Sequence, residues 1–280
     1  MRKILVTGAG GFVGARILDQ WRGRYELCTF PHGFSADSDE AAVRALIARE
    51  KPDVIVHTAA LSNTAYCASH PEESLRANVL LPEWIAKAAA ETGAKLLAFS
   101  SDQVYAGCKR SGPLPETLSL SPANVYGCHK LEAEQRVLAI TPDAVLLRAA
   151  WMYDFPGYRL PIRGNLPLNL LRAAKTGTAL HFSEHDFRGV SYVREVIDKL
   201  LPAMELPGGV YNFGSGNDCD MFETVSRFAQ FLGVEVPLEK DHWERNLAMS
   251  GEKLKAFGIQ FDSTIQAFQQ CLDDYGFGRF

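Results

Sequence analysis

The sequence predicts an α/β fold in which a doubly wound parallel sheet carries a smaller mixed α/β lobe at its C-terminal side. From residue 3 to about Trp151, short apolar runs rich in β-forming residues alternate with stretches of helical periodicity. Such alternation is typical of right-handed βαβ units, which build a parallel sheet. After Trp151 the pattern breaks into pieces rich in proline and glycine, which predicts a loop-rich lobe over one edge of the sheet.

The first strand and helix of this alternation flank a glycine-rich turn. Residues 3–7 are a run of β-formers, and helical spacing of apolar residues follows Gly14. Gly8, Gly11 and Gly14 give the spacing G-x-x-G-x-x-G, whereas the commoner G-x-G-x-x-G would need glycine in place of Val13. Glycines let the backbone approach a pyrophosphate, and the helix N-terminus offers free N–H groups. We therefore favour a Rossmann-type dinucleotide site over a tight turn without a ligand.

Two later strands end in residues suited to a ligand cleft. Residues 52–60 form a buried strand that ends in the small residues Ala59 and Ala60, where a cofactor could pass closely. Residues 94–102 form a strand that carries Ser101 and Asp102 at its carboxyl end, the end of a parallel sheet where ligands collect. A hydroxyl there could hold a substrate oxygen, although a serine at a strand end is also a common cap.

Tyr126 and Lys130 lie four residues apart at the start of the helix predicted over residues 123–140. At this spacing both side chains share one helical face, a single turn apart. An ammonium near a phenol favours the phenolate and lowers the tyrosine pKa from about 10 towards the working pH. Such a phenol can exchange a proton with a sugar or alcohol oxygen. A tyrosine and a lysine at this spacing are usually a surface contact; the glycine turn and Ser101 favour proton transfer beside a nicotinamide instead.

Composition limits the functions to be considered. The 280 residues are 47% hydrophobic and 22% charged, which is ordinary for a soluble globular protein with a substantial core. A net charge of −4 argues against a nucleic-acid or membrane-surface partner. The six cysteines show no C-x-x-C spacing, which predicts free thiols and no metal site. The sequence shows neither a signal-peptide core nor a membrane-spanning run, and we expect a cytoplasmic protein.

The end of the second strand bears on the choice of cofactor. An acidic residue about 20 positions past the glycines would bind a ribose hydroxyl of NAD. Residues 25–30 form that strand, and Pro31 and His32 follow it with no acid at its tip. NADP(H) is therefore slightly favoured over NAD(H), with His32 or Arg16 as candidates to face the extra phosphate.

Together these motifs resemble the extended short-chain dehydrogenase/reductase family over nearly the whole chain. The matching parts are Thr7-Gly8-x-x-Gly11-x-x-Gly14, the Ser101 strand and Tyr126-x-x-x-Lys130. Within that family the chain looks most like the dTDP-4-dehydrorhamnose reductase branch, which typically carries Ser-Thr-Asp-Tyr-Val-Phe-x-Gly and Arg-x-x-Trp. The corresponding stretches here are Ser100-Ser101-Asp102-Gln103-Val104-Tyr105-Ala106-Gly107 and Arg148-Ala149-Ala150-Trp151.

The resemblance implies an NAD(P)H-dependent reductase of a nucleotide-activated 4-keto sugar, with a homodimer left open. Tyr126 would protonate the sugar oxygen, Lys130 would bind the nicotinamide ribose and lower the Tyr126 pKa, and Ser101 would hydrogen-bond the reacting oxygen. The implied cofactor-binding residues are Gly8, Gly11, Phe12, Val13, Gly14, Asp37, Ala59, Ala60, Tyr126 and Lys130. The implied substrate-binding residues are Ser101, Asp102, Trp151, Asn165 and Arg188.

Departures from the branch pattern leave alternatives open. Gln103 replaces the Tyr of the reductases and the Glu of the related 4,6-dehydratases, and a carboxamide cannot act as a general base. Dehydratase chemistry is therefore disfavoured, whereas a sugar-nucleotide epimerase and a non-catalytic NADP-binding regulatory subunit stay open.

Arg188 and Arg245 are candidates for a substrate diphosphate, because the guanidinium fork suits phosphate oxygens. Asp37 could contact adenine, or it and Asp39 could cap the following helix.

The sequence predicts two domains, one that binds the cofactor and a smaller one that binds the substrate. Residues 1–151 form the cofactor-binding domain, and a segment near residues 189–213 returns to it. Residues 152–188 and 214–280 form the smaller lobe, which should select the substrate. The resemblance also implies that Asn78, in the helix predicted over residues 71–92, supports the active-site geometry.

Overall fold

The centre of the molecule is a six-stranded parallel sheet. The computed structural model describes residues 1–31, 33–34, 38–157 and 159–277. The strands lie across the sheet in the order β10 (Gly209–Phe213), β5 (Val145–Ala149), β4 (Lys95–Ser101), β3 (Val54–His57), β1 (Lys3–Thr7) and β2 (Glu26–Thr29). The order reverses between β1 and β3, which is where doubly wound sheets bind their ligands. The fold class predicted from the sequence is confirmed.

Helices cover both faces of this sheet and extend into the C-terminal part of the chain. They are α1 (Phe12–Trp21), α2 (Glu40–Glu50), α3 (Thr64–Ser69), α4 (Pro71–Leu75), α5 (Leu81–Thr92), α6 (Val125–Ile140), α7 (Leu166–Thr176), α8 (Val193–Ala203), α9 (Met221–Leu232), α10 (Glu252–Lys255) and α11 (Thr264–Asp274). A π-helical turn, Arg76–Leu80, joins α4 to α5, and a 3₁₀ turn, Asp102–Tyr105, follows β4. Within the described part of the chain, no helix combines the length and apolarity that crossing a membrane requires.

Strand β1 illustrates why the sheet needs cover on both sides. Ile4 and Val6 are buried in the apolar layer formed with α1 and α8, whereas Leu5 is buried in the layer formed with α2 and α5. Successive side chains of a strand point to opposite faces, so a strand that is apolar throughout requires helices on both faces. The sequence predicted this strand from its run of apolar β-formers.

Polar side chains cap the N-termini of two helices. The Ala42 N–H donates to Asp39 Oδ1 at 2.8 Å and caps α2. The Gly127 N–H donates to Asn124 Oδ1 at 2.7 Å and caps α6, the helix of Tyr126. A side-chain acceptor at this position satisfies one of the free N–H groups of the first turn. Asp39 is therefore a helix cap, while the predicted adenine contact of Asp37 and the phosphate contact of His32 lie outside the described residues.

The C-terminal part of the chain packs around aromatic side chains. Three short parallel pairs are formed by β6 (Trp151–Tyr153) with β9 (Val190–Tyr192), β7 (Leu180–Ser183) with β11 (Leu238–Asp241), and β8 (Asp186–Arg188) with β12 (Arg245–Leu247). Phe228 of α9 and Phe268 of α11 stack with ring centroids 3.7 Å apart, and Tyr153 meets both rings edge-on. Helix α8 and strand β10 lie between these segments in the sequence: α8 packs on the main sheet, and β10 is one of its strands. The division into two domains stays a prediction.

Candidate active site

The glycine turn after β1 is close-packed and needs two of its glycines for different reasons. Gly8 adopts φ +69°, a left-handed conformation that favours glycine. The Gly11 N–H donates to Gly8 O at 2.8 Å and closes the turn. A methyl group on Gly14 would lie 2.3 Å from that same carbonyl oxygen. Gly14 therefore has no room for a side chain, because α1 starts directly against the turn.

The turn and the start of α1 fit a dinucleotide pyrophosphate. Gly11 precedes α1, and among the described residues no side chain caps this helix. Its first N–H groups, including those of Phe12 and Val13, therefore remain for an anion at the positive end of the helix dipole. A methyl group on Gly8 would lie 2.7 Å from the Ala59 nitrogen, so the turn also packs tightly on the end of β3. The predicted cofactor residues from both strands thus lie together at the switch point.

We expect Gly14→Ala to weaken NADPH binding by about tenfold or more, because the methyl group displaces the Gly8 carbonyl and reshapes the turn. Fluorescence titration with NADPH measures the effect. Gly10→Ala is the matched control, since a methyl group on Gly10 meets no atom within 4 Å. Equal NADPH affinity in the two variants would show that the close packing at Gly14 does not shape the cofactor site.

Asn78 holds the loop that follows β3. The Leu61 N–H donates to Asn78 Oδ1 at 3.1 Å, and Asn78 Nδ2 donates to Leu61 O at 2.9 Å. Asn78 is buried in the π-helical turn between α4 and α5, a kind of bulge that is frequent at functional sites. This double hydrogen bond fixes the backbone immediately after Ala59 and Ala60, the predicted wall of the cofactor path.

Ser101 and Tyr126 are hydrogen-bonded at the carboxyl end of β4, and Lys130 lies one helical turn from Tyr126 on α6. Tyr126 and Lys130 are only 6% and 3% exposed, which excludes the surface contact that their spacing left open. Burial raises the pKa of Tyr126 above its ordinary value of 10, a hydrogen bond with Ser101 acts in the opposite direction, and the Asp102 charge adds to the rise. The phenol is therefore protonated at neutral pH, which is the form that can donate a proton.

The expected influence of Lys130 on Tyr126 is wrong in this structure. The Lys130 ammonium donates to Phe99 O at 2.5 Å, and burial of the phenol dominates the Tyr126 pKa. Burial also lowers the pKa of Lys130 to about 8, while the Glu134 carboxylate acts in the opposite direction. Desolvation disfavours the charged form of each group, so it raises the pKa of Tyr126, lowers that of Lys130 and moves the two values apart.

Asp102, Arg188 and Trp151 form the side of the cleft next to Ser101. Arg188 Nη2 lies 2.5 Å from Asp102 Oδ2, and Ser101 Oγ donates to Asp102 Oδ1 at 3.2 Å. The Arg188 guanidinium also lies over the Trp151 ring, 5.4 Å from its centroid. Gln103 is held by Asn124, whose Nδ2 donates to Gln103 Oε1 at 3.1 Å. Four of the five predicted substrate residues are thus adjacent, and an ion pair joins the sheet edge to β8.

Two arginines proposed for phosphate groups have carboxylate partners instead. Arg16 is buried, with Nε 2.5 Å from Asp154 Oδ2, and its Nη1 donates to the Phe12 and Pro161 carbonyls. The prediction that Arg16 faces an NADP phosphate is therefore wrong. Arg245 makes a two-pronged contact with Asp186, at 2.8 and 2.7 Å, so this carboxylate occupies the fork proposed for a diphosphate.

The hydrogen bonds of Asn165 are likewise structural. It is buried, accepts from the Leu168 N–H at 3.2 Å and thereby caps α7. Its Nδ2 donates to the Asp154 carbonyl at 2.9 Å. The structure gives Asn165 a capping role, and its contact with substrate stays a prediction.

A buried polar network beneath the cleft was missed by the sequence analysis. Glu134 of α6 faces Arg148 of β5, with Nη2 2.7 Å from Oε2, and accepts from Ser100 Oγ at 2.5 Å. Arg148 Nη1 donates to the Tyr105 hydroxyl at 2.8 Å, which donates in turn to Asn212 Oδ1 at 2.8 Å. Two signals could have revealed it: a glutamate one turn beyond Lys130 on the same helical face, and an arginine inside an apolar strand.

An exposed group outside the cleft contains side chains of the kinds that bind metals. Glu184, His185 and His242 each offer one ligand atom, and these atoms lie within 4.8 Å of one another. The Glu184 carboxylate pairs with the Lys240 ammonium at 2.8 Å, and both histidines are exposed. The group is a surface ion-pair cluster, in which Glu184 also faces His242 at 3.7 Å.

The glycine turn at the switch point and the Ser–Tyr–Lys group at the sheet edge define the class: an NAD(P)-dependent oxidoreductase of the short-chain dehydrogenase/reductase type. The chain belongs to the family described as RmlD substrate binding domain, whose model matches residues 1–243. The resemblance drawn from the motifs is confirmed.

Individual relatives are more distant. The chain is 24% identical over 239 residues to the spore coat polysaccharide biosynthesis protein SpsK of Bacillus subtilis, covering 85% of this chain and 82% of that one. It is 35% identical over 153 residues to dTDP-4-dehydrorhamnose reductase of Mycolicibacterium smegmatis, covering 54% and 46%. It is 37% identical over 161 residues to the methionine adenosyltransferase 2 subunit beta of Xenopus laevis, covering 54% and 47%. The matches to the latter two span about half of each relative.

Solved structures share the fold over the full length. The dTDP-4-dehydrorhamnose reductase of Bacillus anthracis, in complex with NADP, superposes with a TM-score of 0.88 at 19% identity, covering 98% of this chain and 99% of that one. A UDP-glucose 4-epimerase of Thermotoga maritima, with UDP-glucose, superposes with a TM-score of 0.82 at 19% identity, covering 98% of both chains. At these identities the likeness concerns the fold alone.

Proposed function

We propose that the protein reduces the keto group of a nucleotide-activated 4-keto sugar with NADPH. The observation that carries the proposal is the buried, protonated Tyr126, hydrogen-bonded with Ser101 and one helical turn from Lys130. These groups lie at the carboxyl edge of the sheet, where the glycine turn would hold the cofactor. The family and its reductase members support the same reaction class.

In the proposed reaction, the bound nicotinamide cofactor supplies the hydride. Tyr126 donates its hydroxyl proton to the carbonyl oxygen of the sugar, so the C=O double bond becomes a C–O–H group and the tyrosine is left as phenolate. Ser101 donates a hydrogen bond to the same oxygen and holds it beside Tyr126. Lys130 would bind the nicotinamide ribose by donating from its ammonium group.

The ion pair beside Ser101 would recognise the sugar ring. Arg188 Nε is buried and has no hydrogen-bond partner among the described residues, and Asp102 retains acceptor capacity. A sugar hydroxyl can accept from the first group and donate to the second. Trp151 lies beneath the same guanidinium and offers an apolar surface to the ring. We therefore assign Asp102, Trp151 and Arg188 to the sugar rather than to the diphosphate.

NADP(H) is proposed over NAD(H). Strand β2 ends at Thr29 with no acidic residue at its tip, so no carboxylate there would repel the extra phosphate. A related structure contains NADP. Arg16 is excluded as the phosphate partner by its ion pair with Asp154.

Two alternatives each rest on a specific observation. The stretch from Ser100 to Tyr105 also resembles the epimerase pattern, and an epimerase has the same fold. The similarity to a protein named as a subunit, the methionine adenosyltransferase 2 subunit beta, supports the regulatory-subunit alternative. The intact Ser101, Tyr126 and Lys130 favour a catalytic protein over the second alternative.

A cofactor titration followed by a substrate panel tests the proposal. Fluorescence titration should give tighter binding of NADPH than of NADH. NADPH oxidation is then followed with a panel of nucleotide-linked 4-keto sugars, including a dTDP-4-keto-6-deoxy sugar, and we expect turnover with at least one of them. Tight cofactor binding without oxidation supports the regulatory alternative. Inversion at C4 of a nucleotide sugar without net cofactor consumption supports the epimerase.

A further inference from the structure

His57, the last residue of β3, is a buried titratable group for which the proposed reaction has no role. It is 1% exposed, and its Nδ1 lies 2.7 Å from Thr7 Oγ1. Burial lowers its pKa to about 3, and the charge of Lys130 acts in the same direction. The imidazole is therefore neutral at any working pH, so only one of its two nitrogens carries a hydrogen.

The partners of Thr7 identify which nitrogen that is. Thr7 Oγ1 lies 3.2 Å from the Thr58 nitrogen and 3.4 Å from the Ala59 nitrogen, both of which can only donate. A hydroxyl has two lone pairs and one hydrogen, so with both lone pairs engaged its hydrogen is directed to His57 Nδ1. Nδ1 is then the acceptor, and Nε2 carries the hydrogen.

His57 and Lys130 line the same small cavity. His57 Nε2 is buried and has no hydrogen-bond partner among the described residues. The cavity has a volume of about 10 Å³, enough for a single water molecule. The polar residues that line it are His57, Ser100, Lys130 and Glu134, and its other lining residues are apolar. A water in such a place is held by two to four polar partners, which these groups provide.

We propose that His57 is a positioning residue for Lys130, acting through one water bound in this cavity. His57 Nε2–H and the Lys130 ammonium both donate to the water oxygen, and the water donates to oxygen atoms of the cavity wall. The ammonium has three hydrogens: one is bound by Phe99 O, one by the water, and the third is left for the nicotinamide ribose. This arrangement deepens the proposed function, since it rests on the role of Lys130 in the cofactor site.

The groups that surround Lys130 are the ones that can shift its pKa. His57 approaches from β3, and Phe99 O and Ser100 from β4. Glu134 and Tyr126 lie on its own helix, with Arg148 of β5 behind Glu134. Apart from burial, Glu134 is the contributor that shifts the Lys130 pKa, and it raises it. His57 is neutral, so removing it changes the hydrogen bonding of the ammonium and adds no charge.

The test measures the titration of Lys130 without substrate or cofactor. The protein is labelled with ¹³Cε-lysine, the Lys130 signal is assigned with Lys130→Met, and spectra are recorded across pH for wild type, His57→Leu and His57→Gln. We expect a wild-type midpoint at about 8. In His57→Leu the water is no longer held and the ammonium loses its hydrogen bond to that water, so the midpoint should fall by about one pH unit, the size expected for the loss of one hydrogen bond to a charged group. In His57→Gln an amide N–H can replace Nε2–H, and the midpoint should stay near that of wild type.

A purely structural role for His57 gives a different result. Loss of the Thr7 contact alone lowers the thermal midpoint of both variants and leaves the Lys130 titration unchanged, which overturns the proposal. ¹⁵N spectra of the imidazole provide a check in the unmodified protein, where an Nδ1–H tautomer would also overturn it. Because neither readout needs a sugar substrate, the inference can hold even if no keto sugar in the panel is reduced, and the two failures are distinguishable.

Discussion

Tyr126→Phe should abolish NADPH-dependent reduction of a nucleotide-linked 4-keto sugar while leaving the affinity for NADPH nearly unchanged. The substitution removes the one hydroxyl placed to protonate the reacting oxygen, and it keeps the ring that fills the buried position on α6. Loss of a positioned general acid typically costs about 10²–10⁴-fold in rate, so we expect kcat to fall by at least about a hundredfold. NADPH oxidation with the best sugar of the panel gives kcat, and fluorescence titration gives the Kd for NADPH.

Tyr153→Phe is the matched control for this prediction. Tyr153 is fully buried, and its hydroxyl has no hydrogen-bond partner within the described part of the chain. Removing that hydroxyl should leave both kcat and the NADPH Kd near the wild-type values. Substantial turnover by Tyr126→Phe would show that another group protonates the sugar, and the proposed mechanism would be abandoned.

Glu134→Gln should destabilise the protein strongly, although Glu134 lies beneath the cleft and not in it. Burial alone would lower the pKa of Arg148, but the hydrogen bonds and charge of Glu134 raise it, so the pair keeps the guanidinium charged. Removing one partner of a buried ion pair typically costs about 3–5 kcal/mol, because the other charge is left uncompensated. For a chain of this size we expect the thermal midpoint to fall by roughly 10 °C.

Two further variants separate the ion pair from the helix that carries it. Glu132 lies on the outer side of α6 and pairs with Arg136, a largely exposed contact, so Glu132→Gln should change the stability by less than about 0.5 kcal/mol. Replacing both members of the buried pair, Glu134→Leu with Arg148→Met, should recover most of the lost stability, since no unpaired charge remains. Equal thermal midpoints for Glu134→Gln and Glu132→Gln would contradict the prediction.

The features that depend on neighbouring residues were predictable from the sequence. Gly8, Gly11 and Gly14 act within one turn, and Tyr126 and Lys130 share a helical face because of their spacing. The parallel sheet followed from the alternation of strand and helix patterns, since chain connectivity forces that arrangement. Asn78 is a partial case: its position in a helix was predicted, but the π-helical turn and its contacts with Leu61 were not.

The sequence did not show which charged side chains from distant segments would form ion pairs. Arg16 was a candidate phosphate ligand until the fold placed Asp154, 138 residues later, against its guanidinium. Arg188 was a candidate for a substrate diphosphate, and the structure pairs it with Asp102, 86 residues earlier, beside Ser101. A charged side chain pairs with whichever opposite charge the fold brings close to it. The residues next to an arginine in the sequence do not indicate which residue that will be.

The sequence by itself determined the sheet, the glycine turn and the residues that can exchange a proton, because each depends on the order and spacing of residues along the chain. Only the tertiary structure decided the charge states within the site. Burial keeps the Tyr126 phenol protonated, although a lower Tyr126 pKa was expected from its spacing to Lys130, and burial also lowers the pKa of Lys130 to about 8. Desolvation depends on everything packed around a group, and that packing comes from segments remote in sequence, such as β3 with His57 and β5 with Arg148.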